Sequence, residues 1–303
     1  MQKLLDAIRP TTFIKSAKLD HHLGLDLTIA SETFQYTGSF KFRAAYNLAL
    51  NVTQDEILTA SSGNFGQALA YACKLTGKRC TVVMPATSAQ VKIDAVRDFG
   101  ATVDLVDTNV VGRNERAEQL AAQMPDAYFA SAYDDQFVID GNSTLGAELA
   151  GPGFDIIVSP VGGGGLVSGI IKGLESAGES PLVYGAEPLL GNDAARSLRA
   201  GKIIANDIEP STIADGARTI SLGSLNWEII RDGISGIFEV GDDSIAEAVR
   251  LYFTLANLKC EPTGALTLGA VLSEREKFEG KRVCLVVSGG NVDPAVYIDI
   301  LNK

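Results

Sequence analysis

Asp155-Ile156-Ile157-Val158-Ser159-Pro160-Val161 runs directly into Gly162-Gly163-Gly164-Gly165 and then into a helix-like stretch from Leu166 to Ala177. The order is strand, glycine loop, helix. It decides the fold class, because an apolar strand feeding a helix is the unit from which parallel sheets are built. Consecutive glycines let successive backbone N–H groups turn toward one point without side-chain obstruction, and the following helix adds its positive N-terminal end. Such a loop is a cradle for an anion, most often a phosphate. The contiguous glycines lack the GxGxxG spacing of dinucleotide sites, so one phosphate is expected rather than a pyrophosphate. Stripped of its flanking strand and helix, the same run would read as a flexible loop.

Outward from this unit the chain keeps alternating. Strands are expected at Leu25–Ser31, Ile57–Ser61, Cys80–Pro85, Thr102–Asp107, Ala127–Ser131, Asp155–Val161, Leu182–Glu187, Ile237–Val240 and Arg282–Ser288. Helices are expected at Phe40–Asn51, Phe65–Thr76, Ala89–Phe99, Gly112–Gln123, Phe137–Ala150, Leu166–Ala177, Ser244–Leu258, Gly264–Lys277 and Pro294–Leu301. Short apolar strands separated by amphipathic helices imply an α/β protein with mostly parallel sheets covered on both faces. The run of βα units between residues 56 and 131 is long enough for a sheet of its own, which makes the expected division discontinuous: 1–55 plus 132–303 as a large domain, 56–131 as a small one. No linker, repeat or low-complexity segment argues otherwise.

At 303 residues, 46% hydrophobic and 21% charged, the chain can bury a large core. Its net charge of −11 argues against nucleic acid or an anionic membrane as a partner, since both demand clustered Lys and Arg. Neither a signal-peptide core nor an apolar span of membrane length is visible, so a cytoplasmic location is expected. Cys73, Cys80, Cys260 and Cys284 show no metal-site spacing and read as buried thiols. The only two histidines, His21 and His22, are adjacent in a polar stretch. A Ser-His-Asp hydrolase or His-liganded metal enzyme is therefore not expected, and proton chemistry falls to Lys, Ser, Glu, Asp or Tyr.

In open α/β sheets ligands bind beyond the carboxyl ends of the strands, and the glycine and polar clusters of this chain fall there. Ser61-Ser62-Gly63-Asn64-Phe65-Gly66-Gln67 follows one strand, Gly162 to Gly165 another, and Ser288-Gly289-Gly290-Asn291 a third. Taken alone, Ser-Ser-Gly-Asn would be a helix cap with a tight turn. A fourth run, Tyr36-Thr37-Gly38-Ser39-Phe40-Lys41-Phe42-Arg43, carries the lysine on which the shortage of histidines focuses attention.

Thr37 to Arg43, Ser61 to Asn64, Gly162 to Gly165 and Ser288 to Asn291 together, in this order and spacing, resemble the serine/threonine dehydratase and serine racemase branch of the fold-type II (tryptophan synthase β-like) pyridoxal phosphate enzymes. The resemblance spans nearly the whole chain and implies two open twisted sheets with the cofactor in the cleft between them. It implies that Lys41 binds the cofactor covalently and serves as the α-proton base, that Phe40 packs on the ring, that Asn64 bonds the phenolic oxygen, and that Gly162, Gly163, Gly164, Gly165 and Leu166 hold the phosphate. It also implies that Ser288 faces the pyridine nitrogen, where a hydroxyl makes a weaker electron sink than an aspartate would. Ser61, Ser62, Asn64 and Phe65 are implied on the substrate side, with Ser62 a second proton carrier opposite the lysine. Glu261 is implied near the cofactor, although helix capping explains Glu261-Pro262-Thr263 nearly as well. Glu187, Gly191 and Asp193 match a divalent-cation site for Mg²⁺, Ca²⁺ or Mn²⁺. Asp134-Asp135 reads as a surface turn. The family is commonly dimeric.

The activity implied is dehydration of a β-hydroxy amino acid such as L-threonine or L-serine to a 2-oxo acid and ammonia. Serine racemisation, and dehydration of another substrate such as 3-hydroxyaspartate, stand as alternatives. A protein that binds a phosphate ligand without chemistry is the rival from another class. β-Replacement as in cysteine synthases and γ-chemistry as in threonine synthases share the fold, but their asparagine loops differ from Ser-Ser-Gly-Asn-Phe-Gly-Gln. Phe65 departs from the histidine usual after Ser-Gly-Asn, Ala44 from the usual glycine, and Thr12-Phe13 from Thr-Pro. The choice of substrate is what these departures put in question.

Overall fold

The structure is a computed structural model that describes residues 2–61, 63–88 and 90–303, with only the backbone of residue 91. Ser62, the expected second proton carrier, lies outside the described residues. Among those described, ten strands form two sheets. The strands are β1 (Thr12–Ile14), β2 (Asp26–Ser31), β3 (Glu56–Ala60), β4 (Arg79–Pro85), β5 (Thr102–Val106), β6 (Tyr128–Ala130), β7 (Ile156–Pro160), β8 (Leu182–Pro188), β9 (Gly236–Val240) and β10 (Arg282–Val287).

The larger sheet has the order β1-β2-β10-β7-β8-β9 and the smaller one β5-β4-β3-β6. Every pairing is parallel except that of β1 with β2. The pattern follows from composition: β7 is buried along its whole length and β10 everywhere but its first residue, so neither can show a wet face and both must be covered by helices. Leu285 of β10 stands in register with Ile29 of β2 and Val158 of β7, and all three are buried. Each such side chain contributes about 1.5–3 kcal/mol of transfer free energy.

One helix fixes the spacing of the site. Gln136–Ala150 lies between the helix Lys41–Asn51, which begins with the lysine, and the helix Gly165–Ser176, which follows the glycine loop. Its glycines are points of backbone contact: a Cβ on Gly141 would sit 2.5 Å from the Arg43 carbonyl oxygen, and one on Gly146 2.3 Å from that of Ile170. On the facing helix, a Cβ on Gly173 would sit 2.2 Å from the Ser143 oxygen. These residues let three helices pack at near-minimal separation and thereby set the distance between lysine and glycine loop.

Arg43 locks the same region. It is fully buried, its Nε and Nη2 donate to the two carboxylate oxygens of Glu32 at 2.7 and 2.9 Å, and its Nη1 donates to Glu148 at 2.7 Å. A buried guanidinium is tolerated because this bidentate pairing satisfies it. Glu148 in turn accepts from the Thr11 backbone N–H at 2.6 Å, so the lysine helix is tied to β2 and to the helix Gln136–Ala150 together.

The sequence missed short elements. β1 has three residues, and the helices Gln2–Leu5, Ala17–Leu23, Asp193–Ala200 and Ser224–Gly233 have too few turns to display a period. The stretch holding His21 and His22 is one of them, capped by Ser16 accepting from the Leu19 N–H and closed by Gly24 at φ 65°. The expected helix Gly264–Lys277 is Pro262–Ser273 followed by a separate 3₁₀ turn, Arg275–Phe278, and Asp242–Ala256 replaces Ser244–Leu258. All four cysteines are buried and free. Among the described residues no helix is long and apolar enough to cross a membrane.

Candidate active site

Beyond the carboxyl ends of β3, β6, β7 and β10 lies a cavity of about 720 Å³. Lys41, Ser61, Asn64, Phe65, Gly162 to Gly165, Leu166, Glu261 and Ser288 all line it, as does Phe40. The three loops expected to converge do so, and the loop after β6 joins them.

Lys41 starts its helix, and the chain before it is stitched to the end of β10. Ser39 bridges Gly289, the Phe40 N–H donates to the Ser288 carbonyl at 2.9 Å, and the Gly290 N–H donates to the Gly38 carbonyl at 3.0 Å. Through these bonds the lysine and Ser288, far apart in sequence, face one space. The Lys41 Nζ donates to the Ala132 carbonyl at 2.7 Å and lies 4.9 Å from the Phe40 ring centre and 5.7 Å from that of Phe65. Burial pushes the amine down to about 8, against a smaller upward pull from the Glu261 carboxylate. A substantial neutral fraction at physiological pH is what a nucleophilic amine requires.

The glycine loop is built for close approach. Gly164 has φ 94°, a region closed to most side chains, and a Cβ on Gly163 would fall 2.2 Å from the ring of Tyr133. Its carbonyls are drawn away from the cavity: Asn226 Nδ2 donates to the Gly163 oxygen at 2.9 Å and to the Tyr133 oxygen at 3.0 Å, and Asn142 Nδ2 donates to the Gly165 oxygen at 2.9 Å. The first N–H groups of the helix Gly165–Ser176 have no acceptor within that helix, and they supply the positive end expected of a phosphate cradle.

Ser288 is buried, and among the described residues its Oγ has no hydrogen-bond partner. An orphaned buried hydroxyl facing a cavity calls for a ligand atom, and a ring nitrogen is a fitting one. Ser61 has a structural bond as well: its Oγ accepts from the Gly66 N–H in the first turn of the helix Asn64–Thr76 at 3.0 Å, which leaves its own proton to donate. Glu261 caps nothing with its side chain. Instead both of its oxygens accept from Asn64 Nδ2, at 3.0 and 3.1 Å, and burial followed by Asp215 pushes its carboxyl up to about 7. Asp134 and Asp135 form no simple surface turn, since Asp134 accepts from the Ser224 and Leu225 N–H groups and Asp135 from the Phe137 N–H and the Tyr128 hydroxyl.

Glu187, Gly191 and Asp193 are all buried. Glu187 accepts from the Ala194 and Ala195 N–H groups, whereas Asp193 Oδ2 has no hydrogen-bond partner among the described residues. Burial comes first in raising both carboxyls, to about 8 and about 7. Among the described residues no three metal-ligating side chains gather in one place, so any cation here would need main-chain oxygen and water as well.

Tyr133, Asn142, Asn226 and Asn291 were not foreseen as site residues. Tyr133 could have been found by the strand-end rule, because it follows β6; the asparagines act through contacts no local motif displays. A buried lysine, a glycine loop at a helix N-terminus and an orphaned hydroxyl meet in one cavity, an arrangement that fits a phosphorylated, ring-containing cofactor held on a lysine. Residues 4–289 match the family model for pyridoxal-phosphate dependent enzymes, and the chain belongs to that family. The L-threo-3-hydroxyaspartate ammonia-lyase of Pseudomonas sp is 36% identical over 298 residues, which cover 96% of this chain and 92% of that protein. Maize serine racemase superposes with a TM-score of 0.92 at 30% identity, over 100% of this chain and 94% of that one. The T.th. threonine deaminase gives 0.88 at 37% identity, over 97% and 98% of the two chains.

Proposed function

We propose that this protein is a pyridoxal phosphate-dependent ammonia-lyase that dehydrates a β-hydroxy amino acid to a 2-oxo acid and ammonia, with racemisation as a secondary activity. The observation that carries the reading is the Lys41 amine, pushed down to about 8, in the same cavity as the Gly162 to Gly165 loop and the unpartnered Ser288 Oγ. Lys41 would hold the cofactor, the N–H groups of Gly162 to Leu166 its phosphate, Ser288 its ring nitrogen and Asn64 its phenolic oxygen, with Phe40 beside the ring. When bound, the cofactor supplies an electron sink that stabilises negative charge at the substrate Cα.

The protein groups do the rest. Neutral Lys41 Nζ takes the α-proton, and its link to the Ala132 carbonyl keeps the amine aimed into the cavity. The Ser61 hydroxyl and neighbouring main-chain N–H groups would fix the substrate carboxylate, which orients the α-C–H bond. Phe40 and Phe65 keep water from the amine, preserving its neutral form. Racemisation needs a second group to return a proton from the side opposite Lys41, the role the resemblance gives to Ser62. The α-proton taken by Lys41 is passed to the departing β-hydroxyl, so that water is lost across Cα–Cβ, and hydrolysis of the enamine product releases ammonia and the 2-oxo acid.

A more specific substrate has an observation in its favour. Lys92 and Arg113 line the cavity from the side of the smaller sheet, so a substrate with a second carboxylate, such as 3-hydroxyaspartate, would meet cations there. The similarity to a hydroxyaspartate ammonia-lyase agrees. A 2-oxo acid assay across L- and D-serine, threonine and 3-hydroxyaspartate ranks these readings; absence of product from all of them would sink the proposal. In the same reading Glu187, the Gly191 carbonyl and Asp193 hold Mg²⁺, residues 56–131 form a separate domain, and the protein is a cytoplasmic homodimer. Addition of Mg²⁺ is expected to raise the melting temperature and a chelator to reverse it, whereas insensitivity to both argues against the cation.

A further inference from the structure

Asn291 joins two runs that the sequence keeps far apart. Its Nδ2 donates to the Thr37 main-chain carbonyl at 2.7 Å and to the side-chain oxygen of Asn64 at 2.9 Å, so both of its amide protons are committed. The Thr37 carbonyl can only accept, which dictates that the Asn291 NH₂ end faces it. With that end fixed, the oxygen end of Asn64 must face Asn291. The Asn64 NH₂ end is then left toward Glu261, whose carboxylate accepts from it at 3.0 and 3.1 Å. The orientation of every amide in the chain is therefore fixed: Asn291 donates outward to the Thr37 carbonyl on one side and to Asn64 on the other, and Asn64 passes a donor on to the Glu261 carboxylate. Reversing the Asn64 amide would set NH₂ against NH₂ at one end and oxygen against carboxylate at the other. Gly38 makes room for this arrangement: at φ 75°, a Cβ on it would lie 2.5 Å from the Asn291 Oδ1.

We propose that Asn291 is a positioning residue that fixes which end of the Asn64 amide faces the cavity, so that Asn64 presents a donor to the phenolic oxygen of the cofactor. The inference rests on the reading of Asn64 given above. Asn291→Asp is the decisive change because a carboxylate cannot donate. The new carboxylate then opposes the Asn64 oxygen and competes with Glu261 for the Asn64 NH₂, so the donor held toward the cofactor is displaced or lost.

The test is a double-mutant cycle on pyridoxal phosphate affinity. The apo proteins carrying Asn291→Asp, Asn64→Ala, or both are titrated with the cofactor, and its visible absorption and the position of that band are recorded. Loss of a hydrogen bond to a charged oxygen leads us to expect Asn291→Asp and Asn64→Ala each to weaken binding by about tenfold or more and to shift the band. In the Asn64→Ala background the further effect of Asn291→Asp is expected to vanish, because the group it acts through is gone. Independent, multiplying effects would overturn the proposal and assign Asn291 to the lysine loop through Thr37. Unchanged affinity and band in Asn64→Ala alone would instead defeat the reading of Asn64. Melting of each apo protein identifies a misfolded variant, and Asn291→Ser, which can donate once, supplies a milder second variant expected to fall between the wild type and Asn291→Asp.

Discussion

A lysine amine in a protein interior gives up its proton more readily than one in water, because burial penalises the charged form. For Lys41 this places the protonation change at about 8. Capture of the cofactor aldehyde requires the neutral amine, so the rate of reconstitution of apo protein is expected to rise by about tenfold per pH unit below that value and to level off above it. Stopped-flow absorbance from about pH 6 to 10 reads this directly, and a rate still climbing at the upper end would show an ordinary lysine. What was legible from the chain is its place: two adjacent histidines and no third turned attention to Lys41, and the structure sets it in one cavity with the glycine loop. Glu261 was harder to read, since Glu-Pro-Thr is a good helix start and its real partner, Asn64, lies 197 residues away.

At the scale of elements, the helix Gln136–Ala150 acts as a spacer between lysine and glycine loop. Gly146→Ala pushes a methyl group onto the Ile170 carbonyl, which overpacks the interface; a loss of about 1–3 kcal/mol is expected, measured by denaturant unfolding, together with weaker cofactor binding. Full stability in that variant would mean the helices separate at no cost. Nine of the ten strands could be read because continuous apolar runs bounded by turn residues leave few alternatives. β1, the helix Asp193–Ala200 and the helix Ser224–Gly233 could not, although the last holds Asn226 and so positions the glycine loop. Their short length hides any period, and what stabilises them is packing against elements remote in sequence. The glycine loop itself was legible, but the side chains that turn its carbonyls outward were not, since each is spaced from it by tens of residues.

For the whole molecule, the cavity is bounded by both sheets and an ion pair crosses it. Lys92, on the helix Gln90–Asp98 beside the smaller sheet, lies 3.4 Å from Asp215, on a turn packed under Gly162. Both partners are well exposed, so the pair itself contributes little to stability. Its consequence is for substrate choice, because a substrate carboxylate would compete with Asp215 for the ammonium. Lys92→Met is expected to raise KM for 3-hydroxyaspartate by about 10- to 100-fold relative to serine, and Asp215→Asn to lower it. Equal changes for both substrates would place Lys92 outside substrate recognition.

The most direct measurement of the central claim is a covalent one. Protein reconstituted with pyridoxal phosphate is reduced with borohydride, digested and examined by mass spectrometry. The adduct is expected on the peptide containing Lys41, and Lys41→Ala should carry none and release no 2-oxo acid from any substrate. An adduct confined to another lysine such as Lys92, or undiminished activity in Lys41→Ala, would contradict the account.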